Sequence, residues 1–129
     1  IKIDKNKIEK IFQIYKKDLN NFLELLDIVD VYFDENFQFN IDNNFSEEFN
    51  GIFNDFKTKI INIENWTKEN IQLNIEDFLK TKNIKFSVLG KPIRFILINS
   101  YNGPSISDIF VILGKKDSLE RLNQYIEKN

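Results

Sequence analysis

The side chains that most often perform covalent chemistry are missing from this chain. Among 129 residues there is no cysteine and no histidine, which removes the usual thiolate and imidazole nucleophiles, bases and metal ligands. Acidic pairs remain at Glu47–Glu48 and Glu76–Asp77. Adjacent helical residues diverge by about 100°, so these pairs read as solvated surface rather than an acid–base couple. Asp27, Asp30 and Asp34 could attract a divalent cation, but no glycine-bearing calcium loop accompanies them. The four glycines are isolated from one another, so no phosphate-cradling loop is present. What remains is recognition chemistry. The 18 basic residues include only two arginines, Arg94 and Arg121. A guanidinium makes two parallel hydrogen bonds to a base edge or carboxylate, where lysine offers a point charge. Arg94, in the string Gly90-Lys91-Pro92-Ile93-Arg94-Phe95, is therefore the residue whose type most suggests a task; a plain surface charge or a pair with Asp108 is the alternative.

The elements that must position it are helical by spacing. Ile8, Ile11, Phe12 and Tyr15 mark one face of a first helix. Asn20 is placed to cap a second, with Leu23, Leu26, Val29, Tyr32 and Phe33 as its stripe. Residues 34–45 read as a loop with apolar anchors, and the alternation of Phe37, Phe39 and Ile41 allows a short extended piece. Ser46 before two glutamates caps a third helix carrying Phe49, Phe53, Phe56, Ile60 and Ile63. Thr67 caps a fourth carrying Ile71, Ile75, Phe78 and Leu79, and Trp66 is positioned as a staple onto it.

Beyond Asn83 the run Phe95–Ile98 suits a buried strand or a helix, and helical context on both sides favours helix. Pro92 is then expected in its first turn. Residues 99–107 form a compulsory turn in which Gly103 takes positive φ ahead of Pro104. Ser105 with Asp108 resembles a capping box. Ile106, Ile109, Phe110 and Leu113 form the next helix, which Gly114 ends. A last helix starts near Asp117, with Leu119, Leu122 and Ile126 inward.

Net charge is −2, but residues 1–17 carry +4, residues 18–79 carry −11 and residues 80–129 carry +5. This basic–acidic–basic order is compatible with a local positive surface and equally with ordinary fluctuation of sign. No stretch approaches the ~18 apolar residues of a membrane span, and the absence of cysteine suits a reducing, cytoplasmic setting. There is no methionine, even at position 1, so the chain is expected to be a piece of something longer. Alanine is absent too, which reads as a coding bias.

The string from Gly90 to Lys116 resembles the end of bacterial-type glutamyl-tRNA synthetases. Pro92-Ile93-Arg94 is similar to the family's P-L-R element, Gly103-Pro104 to its G-P turn, Leu113-Gly114-Lys115 to its L-G-K, and Arg121-Leu122 to its R-L. Upstream, Leu19–Phe33 resembles the family's leucine-rich helix, and Glu64–Lys80 its E-x-W-T-x-E-x-I/L segment. Neither of the family's nucleotide-binding signatures, H-I-G-H-like or K-M-S-K-S-like, is present.

The resemblance implies an all-α fold of six or seven helices in two tandem bundles. Residues 1–65 would be the first subdomain, contacting tRNA stem and anticodon, and residues 66–129 the C-terminal anticodon-binding subdomain. It implies tRNA recognition for a glutamate–tRNA ligase whose catalytic domain, with ATP and magnesium, lies outside these residues. This segment itself would need no catalytic residue, cofactor or metal. Its partners would be glutamate tRNA, with glutamine tRNA left open, and its own catalytic domain, with no membrane. By position, the anticodon-binding residues are Arg94, Asn102, Gly103, Pro104 and Ile106. Lys16, Lys17, Lys85, Lys91, Lys115 and Lys116 would meet phosphates. The family's turn often reads T-G-x-x-x-G-P; here Asn99 stands in the glycine position, where its tolerance of positive φ is expected to preserve the turn. Some members read one base with an arginine near the first two helices, where this chain has only Lys16 and Lys17. A helical protein-docking module derived from such a domain is the alternative function.

Overall fold

A computed structural model describes residues 4–38 and 45–128, with the side chains of 126–128 excepted. Among these residues there are six helices and no strand: α1 (Lys5–Tyr15), α2 (Phe22–Phe33), α3 (Glu47–Ile61), α4 (Lys68–Lys82), α5 (Phe86–Ile98) and α6 (Ile106–Lys128). The chain is all-α. The proposed extended piece at Phe39 and Ile41 and the side chain of Ile126 lie outside the described residues.

The helices fall into two compact units, Ile1–Phe37 and Gln38–Asn129. This division lies earlier than the 65/66 boundary expected from the sequence, because α3 packs with α4, α5 and α6.

In the first unit Asp4 caps α1, its carboxylate accepting from the Asn6 and Lys7 amides. The cap of α2 is Asn21, one residue later than expected. Its side chain accepts from Glu24 N at 2.9 Å, while Glu24 in return accepts from Asn20 N at 3.0 Å. This resembles a capping box, except that Glu24 reaches back to the amide preceding the cap rather than to that of the cap itself. The unit closes on Tyr15 and Tyr32, whose hydroxyls hydrogen-bond at 2.7 Å with the rings edge to face. The expected stripe of α2 is only partly inward: Tyr32 is buried, but Leu23 is 71% and Leu26 42% exposed.

In the second unit the caps stand where local chemistry puts them. Ser46 Oγ accepts from Phe49 N at 3.1 Å and Thr67 Oγ1 from Asn70 N at 3.2 Å, each worth about 1 kcal/mol. Phe49, Phe53, Phe56, Ile60 and Ile63 from α3 and its end are buried, as are Ile71, Ile75 and Phe78 from α4. Lys59–Asp77 and Lys82–Asp55, both at 2.6 Å, cross from α3 to α4 at the surface. Asn83, in the left-handed region at φ 54, ends α4.

Pro92 is not in the first turn of α5. The helix begins at Phe86, six residues earlier, and Pro92 lies inside it. An interior proline forfeits one backbone hydrogen bond, at about 3 kcal/mol. Burial offsets this: Leu89, Ile93, Ile96 and Leu97 are fully enclosed, at roughly 1.5–3 kcal/mol for each large apolar side chain. Gly114, at φ 80 and ψ 164, breaks α6 into two arms, so the expected stop at this glycine is present. Ser105 caps the first arm through Asp108 N at 3.2 Å and donates to Asp108 Oδ2 at 2.9 Å.

Candidate nucleic-acid interface

The turn between α5 and α6 is built from side chains that bond backbone. Asn99 ends α5 at φ 55, in the left-handed region, with its amide N–H on Phe95 O. Its side-chain Nδ2 donates to Gln38 O at 2.9 Å. Asparagine thus holds the conformation for which glycine is the default. Ser100 Oγ accepts from Asn102 N at 3.1 Å and donates to Asn102 O at 2.8 Å. Gly103 has φ 147, positive as expected. Tyr101 stacks on Phe95, ring centroids 4.6 Å apart and planes 28° off parallel.

Arg94 closes the turn onto the helix. Its Nε donates to Pro104 O at 3.0 Å and its Nη1 to Tyr101 O at 3.0 Å. The guanidinium therefore grips the chain seven and ten residues ahead. Its Nη2 has no partner among the described residues, so one corner of the fork remains for a ligand. The alternative pair with Asp108 is not formed: that carboxylate meets Lys68 at 3.1 Å. Arg121, 4% exposed, donates from Nη1 to Leu97 O at 2.8 Å, at the last turn of α5.

The structure brings Arg94, Asn102, Gly103 and Pro104 together and separates Ile106 from them in character. Asn102 and Gly103 are exposed and Pro104 half-buried. Ile106 is 1% exposed as a whole residue and belongs to the core. Among the lysines, Lys16, Lys17, Lys85, Lys91 and Lys116 are exposed. Lys115 is half-buried and its Nζ donates to Ile63 O at 2.7 Å, tying α6 to the end of α3. That bond holds its ammonium in an internal structural contact. Trp66 is likewise structural, but its partner is α6 rather than α4: Nε1 donates to Phe110 O at 2.8 Å, with the rings edge to face at 5.9 Å. Among the described residues no group of three or more acidic side chains is placed to hold a metal, and no helix is long and apolar enough to cross a membrane.

The all-α scaffold is what the sequence resemblance calls for, and the family described as "Anticodon binding domain" matches residues 2–126. The chain belongs to that family. Relatives of this anticodon-binding domain include the glutamate–tRNA ligase of Mycoplasma mycoides, 34% identical over 116 residues, 85% of this chain and 23% of that protein. The glutamate–tRNA ligase of Bacillus subtilis is 23% identical over 118 residues, 89% of this chain and 24% of that protein. The domain thus spans about a quarter of the length of the curated relatives it matches. In fold it is similar to a glutamate tRNA ligase from Elizabethkingia meningosepticum, with a TM-score of 0.84 at 19% identity, over 98% of this chain and 26% of that one.

Three residues contribute to the domain's turn in roles that the sequence did not assign to them, although Arg121 stands out there by residue type. Ser100 carries a local signal, a serine two residues before an asparagine in a turn. Tyr101, adjacent to it, shows its role only once Phe95 is placed beneath it. Arg121 gives no local signal of its contact, because its acceptor lies 24 residues away.

Proposed function

We propose that this domain holds the anticodon loop of glutamate tRNA, as the C-terminal part of a glutamate–tRNA ligase that attaches glutamate to its tRNA with ATP. The reaction would take place in a catalytic domain outside these residues, using magnesium bound there, in the cytoplasm. The single observation that carries the reading is the bracing of the 99–105 turn by Arg94, with Nη2 left over, in a member of an anticodon-binding family. Unpaired loop bases are read along their Watson–Crick edges. Exposed Asn102 and Gly103 and the open corner of Arg94 offer donors for that purpose, and Pro104 shapes their approach. Ile106, buried as a whole residue, would support the turn from beneath rather than touch a base. In functional terms residues 66–129 would read the anticodon, while residues 1–65 would meet the stem and remaining base through Lys16 and Lys17. With lysines rather than an arginine there, glutamine tRNA is a second acceptor to be tested.

Lys16, Lys17, Lys85, Lys91 and Lys116 would supply affinity without sequence information. Five phosphate contacts, shared between stem and loop, give a slope of about −3.5 to −4.5 in log affinity against log salt. Titration of an anticodon stem-loop RNA at several salt concentrations measures it. A flat response would sink this reading in favour of a docking module.

A further inference from the structure

We propose that Phe86 is a stacking platform for an unpaired loop base flanking the anticodon, at the far end of the α5 face that carries Arg94. The inference rests on the anticodon-binding reading and adds to it a residue outside the turn.

Four observations support it. Phe86 is 44% exposed at the start of α5, and its ring has no aromatic partner among the described residues. The ring lies against its neighbour: a methyl group at Gly90 would fall 2.5 Å from Cε1 and 2.8 Å from Cζ. Only glycine lets the ring lie this close to the helix backbone, and Gly90 is buried although it follows the exposed Phe86 by one turn. Phe86, Gly90 and Arg94 succeed one another at four-residue steps, so they run along one side of the helix. Finally, residues 78–107 contain five basic side chains and no acid, and of the five Lys82 is paired with Asp55. Lys85 and Lys91, which flank the ring in sequence, form no ion pair among the described residues.

An aromatic ring held on a positively charged strip is how proteins bind single-stranded nucleic acid without regard to sequence. Charge complementarity therefore favours a polyanion over an apolar protein segment as the occupant. Eight residues of helix separate Phe86 from Arg94 by about 12 Å. At about 3.4 Å per stacked nucleotide that is three or four nucleotides, which places the base on Phe86 beside the triplet rather than within it.

Fluorescence anisotropy with an anticodon stem-loop RNA tests this. Phe86→Leu keeps an apolar side chain but removes the π-face. It is expected to weaken binding about tenfold, equally for matched and altered triplets. Phe86→Trp in a Trp66→Phe background is expected to restore affinity, with indole emission quenched on binding. If Phe86→Leu binds as the unaltered protein does while Arg94→Ala does not, the platform is refuted and the anticodon reading stands. If the unaltered protein binds no stem-loop, both fall.

Discussion

Arg94 and Arg121 hold the same turn from opposite ends. Arg121 Nη1 donates to Leu97 O at 2.8 Å, just before the turn begins, and Arg94 donates to Tyr101 O and Pro104 O at 3.0 Å, in its middle and near its end. These are the only two arginines in a chain that otherwise uses lysine. The fork of Arg94 reaches two carbonyls at once, which a lysine ammonium on its flexible stem does not do in a fixed geometry.

Arg121→Lys should destabilise the domain by about 2–3 kcal/mol, because a hydrogen bond from a buried charged group is lost or rearranged. Urea unfolding measures this. An unchanged midpoint would mean that the Leu97 contact contributes nothing.

Asn99 separates backbone strain from side-chain bonding. Asn99→Gly and Asn99→Ala both lose the bond to Gln38 O, but only alanine meets the steric penalty of the left-handed region. The alanine variant should be less stable than the glycine variant by about 1–2 kcal/mol. Equal stabilities would contradict φ 55 at this position.

Trp66→Phe removes the donor to Phe110 O and should cost about 1–2 kcal/mol in thermal or urea unfolding. Affinity for RNA should not change, because the indole packs on Phe110. A selective loss of RNA binding with stability intact would make Trp66 a base-stacking residue instead.

Burial raises the Tyr125 phenol above the ordinary tyrosine value. The folded state thus favours the neutral form, and this contribution is complete below about pH 10, the unfolded value. It is lost as pH rises from there through the raised folded value. Tyr125→Phe should show a flatter alkaline limb in a stability–pH profile, after a loss at neutral pH from the broken bond to Asn50.

Much of the fold was legible because capping and glycine stops are local. Ser46, Thr67 and Gly114 act within four residues of themselves, and the structure has them in those roles. Pro92 misled because its preference for a first turn is a local rule, overridden by the core into which the earlier start of α5 brings Leu89. Leu23 and Leu26 have helical spacing, yet periodicity does not say which part of a stripe finds a partner. At the site, Gly103 was readable from φ preference alone, and Asn99 once the family resemblance put it in a glycine position. The contacts of Arg94, Arg121 and Lys115 were not, since their acceptors lie 7 to 52 residues away. Residue type signalled that Arg94 had a task; only the fold shows that part of the task is bracing the turn.

The most direct test is the affinity of anticodon stem-loops carrying the matched triplet and each single-base change, for the unaltered protein and Arg94→Ala. Loss of about 1–3 kcal/mol of discrimination at one triplet position, with the other positions keeping theirs, is the expected result. Equal losses for matched and altered triplets would show Arg94 to be a brace and a charge, with no part in reading the base.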